Sequence, residues 1–546
     1  MREASAVVNR SAVDLRQSSL VRRLAVDYAY AYDTLDGFYA GNPTSPAAWR
    51  AAVERTRAYP RDRAAIAEVV RAQQERRGAP PEARAAAEGL RDASTVAVVT
   101  GQQAGLFGGP LYTLLKALTA IRLADDTTAG GVPAVAVFWI DSEDHDWDEV
   151  ASTTVLDAEL RPHRITVERS AGADDRPVAF VRLDDRIQTA VAALREALPP
   201  TEFTAPLLAD LEHDYAAGTG MAEAFGRWLE RWLGSRGLVV FDGADPAAKP
   251  LASRAFAHEL ETDGPTAALA ADAGAALASL GYHAQVGVNP DGIALFHLDG
   301  GRHAIRREDG RLVAGTVDFS LEQLLALARS SPQHLSPNVL LRPVVQDTLF
   351  PTVCYVSGPS ELAYLGQLRG VYEHFGVPMP LVFPRVTATI LDAAASRFLS
   401  RYGVQFEALQ PQDEAWLNRL LEAQLPPQVE LALQAASRAI GEHMTAVVGA
   451  VPTVDPTLEG AARSTLGKME HELRTLHTKV IHAAKKRDET LRRQFNRARA
   501  QAFPGGHLQE RELGFVYFLN RHGAALIDVL ARELPLDPGQ HWLLTL

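Results

Sequence analysis

From residue 95 onward, apolar runs alternate with glycine-bearing loops in a fixed order. TVAVV (95–99) is a short β-branched run, LYTLLKALTAIRLA (111–124) carries apolar residues at helical spacing, and PAVAVFWI (133–140) is a second apolar run. Strand, glycine loop, helix, strand is a βαβ unit, whose two strands are parallel. GLVVFD (237–242), TVCYVSG (352–358) and PLVFPR (380–385) predict three more buried strands, with a helix over SELAYLGQLRGVYEHFG (360–376) between the last two. The pattern predicts a doubly wound α/β core around a parallel sheet.

Residues 14–93 carry helical periodicity, interrupted at Pro80-Pro81. Two segments interrupt the core: 151–235 mixes short strands with helices, and 264–335 contains YHAQVGVNPDGIALFHLDGGRHAI, which alternates like antiparallel strands with Asp-Gly turns. From about 405, Leu433, Ala436, Ile440, Met444 and Val447 recur every three or four residues until VPTVDPT (451–457) stops them. Leu466, Met469, Leu473, Leu476, Val480, Ala484, Leu491, Phe495 and Ala498 then form a second run. Two amphipathic helices joined by a proline turn predict an antiparallel coiled-coil hairpin over 405–502. The predicted organisation is a helical segment packing on the core (1–94), a core (95–395) with insertions at about 151–235 and 264–335, a coiled-coil arm (396–505) and a helical tail (506–546).

Composition narrows the class. A chain of 546 residues exceeds one ordinary core, and 47 % hydrophobic with 22 % charged residues fits a soluble globular protein. A net charge of −12 argues against a general nucleic-acid binder while leaving room for a local basic pocket. Cys354 is the one cysteine, so no intrachain disulfide and no cysteine-based metal site forms, and a reducing cytoplasm is the expected compartment. The first residues lack a signal-peptide apolar run, and nothing reaches the length of about 18 apolar residues that spans a membrane. Lysine is scarce: Lys116 is the only one in the first 248 residues.

Three stretches carry candidate chemistry. VAVVTGQQAGLFGGPLYTLLK (96–116) follows a strand and opens a helix, which places Gly101, Gln102, Gln103, Gly105, Gly109 and Pro110 at the ligand-binding edge of an α/β sheet. It is neither a dinucleotide fingerprint nor a P-loop, and a tight packing turn is the structural alternative. Lys116, two turns on, is either a solvated helix face or a point charge for an anion. WIDSEDHDWDEV crowds Asp141, Glu143, Asp144, His145, Asp146 and Asp148 beside the same edge. His145 with a flanking carboxylate suits a general base, the cluster suits Mg²⁺, and a solvated acidic loop is the alternative. In LSPNVLLRPVVQDTLFPTVCYVSGPSELAYLGQL (335–368), Ser357, Gly358 and Pro359 end a strand, Glu361 and Tyr364 open the next helix, and Asn338, Arg342 and Gln346 share a face if helical before Pro343 breaks it. Arg385, at a strand end, offers a fork to carboxylate or phosphate, or forms a surface ion pair. Cys354 reads as a buried inert thiol.

Together with YEHFGVPMPLVFPR and FPGGHLQER, these stretches resemble the bacillithiol synthase family, the cysteine ligases of bacillithiol biosynthesis, from about residue 19 to the C-terminus. Ala104 departs from the proline common in relatives. The resemblance implies a Rossmann-like core akin to nucleotidyltransferases, two connecting insertions, and a coiled coil that pairs two subunits. It also implies a cytoplasmic enzyme joining the carboxylate of L-cysteine to the amine of glucosaminyl-malate. A carboxylate needs a leaving group before an amine displaces it, so ATP is expected, with its phosphates on the glycine loop near Lys116. His145 or Asp144 would take the amine proton, and Arg342 or Arg385 would clamp the malate carboxylates. Two other classes stay open: another nucleotide-dependent ligase or nucleotidyltransferase using the same pocket, and a non-catalytic coiled-coil scaffold of the pathway.

Overall fold

A computed structural model describes residues 9–18, 21–170, 176–283, 286–287, 292–423, 427–487 and 489–546. Five parallel strands form the central sheet: β1 (Val96–Gln102), β2 (Ala134–Ile140), β3 (Val239–Asp242), β4 (Thr352–Ser357) and β5 (Leu381–Pro384), in the order β5-β4-β1-β2-β3. β1 is buried as far as Gly101, as a strand covered on both faces must be, and this is why it reads as an unbroken apolar run. The crossover helix α1 (Leu111–Ala129) buries Leu111, Leu114, Leu115, Ala117, Leu118 and Ile121 around most of its circumference. β2 and β3 lie on one side of β1, β4 and β5 on the other. The order therefore reverses between β1 and β4, and α/β sheets bind ligands at such a point.

Before the sheet comes a strand, Asn9–Asp14, and then helices Arg23–Tyr30, Pro46–Ala58, Arg63–Arg77 and Pro81–Gly89. The strand was not legible as part of a helical segment. Pro81 opens the last of these helices instead of breaking one, because a first-turn residue has no helical N–H bond to lose. Tyr28 and Tyr39 donate hydrogen bonds to the carbonyls of Val382 (2.6 Å) and Leu362 (2.7 Å), which fixes these helices on the sheet side. The segment 151–235 forms a hairpin (Ser152–Leu156 with Pro162–Thr166) and three helices, and 264–335 holds four antiparallel strands that Leu335–Pro337 extends to a five-stranded sheet. Asp291 of the first expected Asp-Gly turn lies outside the described residues.

Two helices depart from expectation. α2 (Arg342–Leu349) starts at Arg342, and Pro343 stands in its first turn, so Asn338 precedes the helix instead of sharing its face. The single helix expected over 360–376 is two, α3 (Glu361–Leu365) and Arg369–Phe375. Gly366 separates them at a close approach, since a Cβ there would lie 2.8 Å from the Tyr39 hydroxyl.

The chain divides into two packed units. One holds the chain up to Thr389 with Leu508–Leu544; the other is Ile390–His507 with the last two residues. The expected tail at 506–546 is thus corrected: it returns to the sheet unit and buries Leu513, Phe515 and Val516 completely. Leu513 accepts a hydrogen bond from Leu111 N (2.8 Å), and Phe515 N donates to Gly109 (3.0 Å). Glu510 accepts from both terminal nitrogens of Arg385 (2.7 and 3.0 Å), each side chain 2 % exposed. A fork on a carboxylate is the geometry that best repays the desolvation of two buried ions.

In the second unit, α4 (Pro427–Ala450) and α5 (Leu458–Arg487) make the hairpin, with His477 beside Glu430 (3.4 Å) showing the antiparallel sense. The second apolar run continues into a separate helix, Glu489–Ala502. Leu433, Ala436, Ile440 and Met444 are half-buried, but the buried residue at the end of α4 is Val448, not Val447. The side chain of Ala484 lies outside the described residues. Among the described residues no helix is long and apolar enough to cross a membrane.

Burial alone would push the Glu510 carboxyl up, but Arg385, with His541 and the Ala388 N–H, holds it below its ordinary 4.5. A lowered carboxyl stabilises the fold above the unfolded value and loses that contribution as pH falls through the folded one. Glu510→Gln should therefore be less stable by about 3–5 kcal/mol at neutral pH, with the gap narrowing below about pH 4.5. Urea unfolding of both proteins at several pH values checks this, and a pH-independent gap contradicts it.

Candidate functional site

A cavity of about 300 Å³ opens beside the switch point, at the carboxyl ends of the strands. Gly101, Gln102 and Gln103 line it from the end of β1, Tyr112 and Lys116 from α1, and Asp141 from the end of β2. Gly358, Pro359, Glu361 and Tyr364 follow β4, while Arg342 comes from α2 and Arg385 from just past β5. Residues dispersed over the sequence meet here because parallel strands all deliver their following loops to one edge.

Lys116 organises this edge. It is 2 % exposed, and its ammonium donates to Gly101 O (2.7 Å) and Gln102 Oε1 (3.2 Å) and pairs with Glu361 Oε2. Three donors have three acceptors, so the expected point charge for a phosphate is already committed. Burial pushes the Lys116 ammonium down, opposed by Glu361. Burial would push Glu361 up, but Lys116, the Gly358 N–H and Arg342 outweigh it and hold the carboxyl low. Tyr355 and Tyr364 donate to Glu361 Oε1 (3.0 and 3.4 Å), and Arg342 reaches both Tyr364 (3.4 Å) and Asp141 (3.3 Å).

The glycine loop is split. Gly101 to Gln103 face the cavity, whereas Gly105, Gly109 and Pro110 are absent from its lining. Gly108 (φ +92°) and Gly109 (φ +72°) bend the loop, and a Cβ on Gly108 would meet Phe515 and Trp228. With Leu111 N bonded to Leu513 O, the start of α1 is closed by the protein's own backbone. At the expected phosphate cradle the first N–H of α1 is thus already bonded within the chain.

The acidic stretch separates in the same way. Gln103 Nε2 donates to Asp144 Oδ2 (3.2 Å), so the glycine loop and the acidic loop meet. Arg302 also holds Asp144 (3.2 Å), and His145 Nδ1 lies 3.2 Å from it, but neither Asp144 nor the exposed His145 lines the cavity. Glu143 is buried against Lys249, and Asp146 caps a short helix by accepting from Glu149 N (3.2 Å). Asn338 caps Leu340 and Leu341 (3.0 and 3.1 Å), and the buried Gln346 bridges Arg342 and Asp347 (3.3 and 2.9 Å). Ser357 is fully buried outside the lining, and Arg385 gives its fork to Glu510. Cys354 is buried and its thiol pushed up, an inert side chain.

Lining residues that the sequence did not single out are Tyr112, Glu149, Val339, Tyr355, Ser360 and Arg511. Glu149 follows the His-Asp-Trp-Asp run, and one helical turn from Asp146 was the available signal. Its carboxyl is raised by desolvation where it borders the cavity and by Asp146, Asp144 and Asp141, against a hydrogen bond from Gln103. The Tyr112 phenol is pushed up to about 12 by burial and Glu149, with Arg385 and Arg511 opposing. Gln103 Oε1 is buried with no hydrogen-bond partner, an acceptor awaiting a donor. Among the described residues no cluster of three or more His, Cys, Asp or Glu is arranged to hold a metal ion.

Comparison with known proteins agrees with this architecture. Residues 9–386 match the family described as "Bacillithiol biosynthesis BshC, N-terminal Rossmann-like domain", and 388–546 match "Bacillithiol biosynthesis BshC, C-terminal coiled-coil domain". A Salinibacter ruber protein named "Putative cysteine ligase BshC" is 35 % identical over 525 residues, 95 % of each chain. Proteins of the same name from Koribacter versatilis (34 %, covering 93 % of this chain and 94 % of that one) and Solibacter usitatus (31 %, 96 % and 98 %) are similar throughout.

The different settings of Lys116 and His145 have measurable consequences. Lys116→Met strands Glu361 and two acceptors and should cost about 3–5 kcal/mol in unfolding free energy. His145→Ala, at an exposed side chain, should stay within about 0.5 kcal/mol of the parent. Equal destabilisation of the two variants in denaturant titrations contradicts the assignment.

Proposed function

The chain belongs to the BshC family of bacillithiol biosynthesis, and from that premise we propose that it is a ligase joining the carboxylate of L-cysteine to the amine of glucosaminyl-malate, the last step of bacillithiol synthesis, in the cytoplasm. The cavity at the switch point carries the reading. It brings the carboxylates Asp141 and Glu149, which suit an ammonium group, and the guanidinium of Arg511, which suits a carboxylate, into one space of about 300 Å³. A substrate with an amine and carboxylates is the chemistry that such a lining complements.

A carboxylate and an amine do not condense in water, so the cysteine carboxylate first acquires a leaving group. ATP is the proposed source, giving an acyl phosphate or acyl adenylate. The amine then attacks the acyl carbon: the C–N bond forms, the C–O bond to the leaving group breaks, and the amine proton passes to a base. Glu149 suits that base, because it lines the cavity and its surroundings raise its carboxyl above the ordinary 4.5. His145 stands outside the lining. No step is assigned to phosphates at the α1 N-terminus, which Leu513 closes, or to Mg²⁺.

The arm is proposed to pair two copies of the chain. Within one chain α4 and α5 cover Leu466, Leu473 and Val480 only in part. Leu431, Val447, Leu458, Met469 and Leu476 remain 39–64 % exposed. Burying four such side chains per subunit contributes roughly 1.5–3 kcal/mol each before association costs, and two-fold pairing is the commonest closed solution.

Thiol profiling of a strain lacking the gene tests the ligase reading. It is expected to lose its low-molecular-weight thiol and accumulate glucosaminyl-malate, and an unchanged thiol pool refutes the proposal. For the arm, sedimentation of a Met469→Lys, Leu476→Lys double variant should show monomers where the parent is dimeric. A variant that stays dimeric, or a monomeric parent, rules out this interface.

A further inference from the structure

Four cations line the cavity, and three are neutralised within the protein: Lys116 by Glu361, Arg342 by Asp141, and Arg385 by Glu510. The fourth is Arg511. Among the described residues its guanidinium has no carboxylate partner and no hydrogen bond. An uncommitted arginine on a surface is ordinary; one at the lining of a cavity whose other cations are all spent is the only fixed positive charge left for a ligand.

Its backbone is held firmly. Arg511 N bonds to Leu508 O (2.9 Å), the preceding residue is the buried Glu510, and two residues on Leu513 O receives Leu111 N. Gly514 N then donates to Thr154 O (2.9 Å). The segment after the arm thus closes the start of α1 and, in the same turn, presents a guanidinium to the cavity.

We propose that Arg511 binds a carboxylate of the amine-bearing substrate. The inference rests on the ligase reading for the substrate's identity and on the cavity alone for its chemistry. A carboxylate is favoured over a phosphate for two reasons. The start of α1, the natural phosphate site of a strand-loop-helix unit, is closed. A doubly charged phosphate beside Asp141, Glu149 and Glu361 would also meet three carboxylates, whereas a molecule pairing carboxylate with amine satisfies Arg511 and those acceptors together.

Calorimetric titration of the full-length protein with L-malate, L-cysteine and inorganic phosphate tests this, with Arg511→Ala and Arg511→Lys alongside and unfolding midpoints measured as a check on folding. L-malate should bind the parent, lose about 10-fold to 100-fold in affinity in Arg511→Ala, and recover in part in Arg511→Lys, which keeps the charge without the fork. The folding midpoint should hardly move, since the side chain is exposed and forms no hydrogen bond or ion pair among the described residues. No malate binding to the parent, an Arg511→Ala protein that binds malate as the parent does, or a dependence on Arg511 confined to cysteine or to phosphate overturns the proposal. Ligase turnover, measured separately, distinguishes the two readings. Arg511-dependent malate binding in a parent without turnover refutes the ligase reading alone; turnover with Arg511-independent binding refutes only the role of Arg511.

Discussion

An ammonium group buried in a protein must find three acceptors and a counter-charge, or it loses its proton or the fold. Lys116 meets that requirement with a carbonyl at the end of β1, a glutamine next to it and a carboxylate from the turn after β4. The two strands that flank the switch point are therefore tied by one ion. Glu361 passes the constraint on, to the Gly358 N–H, to two tyrosines and through Tyr364 to Arg342 and Asp141. The floor of the cavity is a single connected network. Its members are buried or partly buried polar groups, and releasing one would leave another unpaired. That a lysine stands here, in a chain that mostly uses arginine, has its explanation in the same acceptors. Three acceptors converging on one point suit a compact ammonium, and a planar fork with five donors would leave some of them unsatisfied.

What the sequence revealed and what it hid divide along the same physical line. The β-branched runs at 95–99 and 133–140 are strands because they are covered on both faces, and that condition is written locally in the residues. The partner of a charged side chain is not local. Lys116 reads as a free cation until Glu361 is brought beside it, and Arg385 reads as a ligand fork until Glu510 arrives from beyond the arm. The acidic stretch shows the reverse error. Its charges look concentrated on one task, yet Glu143 goes to Lys249, Asp146 to a helix cap and Asp144 to Arg302 and Gln103, while Glu149 alone of the last turn lines the cavity. Like charges adjacent in sequence repel, and the fold relieves the crowding by sending each side chain to a different donor.

The chain after residue 506 carried helical periodicity but no sign of where its apolar face would go. Helical spacing fixes which residues share a face; the surface that covers the face is set by tertiary packing. Leu513 and Phe515 go to the glycine loop, where the absence of a side chain at Gly108 leaves room for the Phe515 ring. Packing thus accounts for the glycines at 105, 108 and 109. The part of that loop that faces the cavity is its beginning, Gly101 to Gln103, at the end of β1.

The arm sharpens the distinction between a pattern and its use. The stripe Leu466, Met469, Leu473, Leu476, Val480 alternates three and four residues, which is the spacing of one coiled-coil seam. In the hairpin the stripe is divided: Leu466, Leu473 and Val480, seven apart, are half-buried, while Met469 and Leu476 are exposed. A seam shared with a single partner would bury both sets. α4 is divided too, for Val448 is covered while Val447 beside it is not. Two neighbouring helices that each expose part of an apolar stripe leave apolar surface on the outside of the pair. Periodicity reports that a helix has an apolar face; only the width of that face against the contact it makes reveals how many partners it is built for.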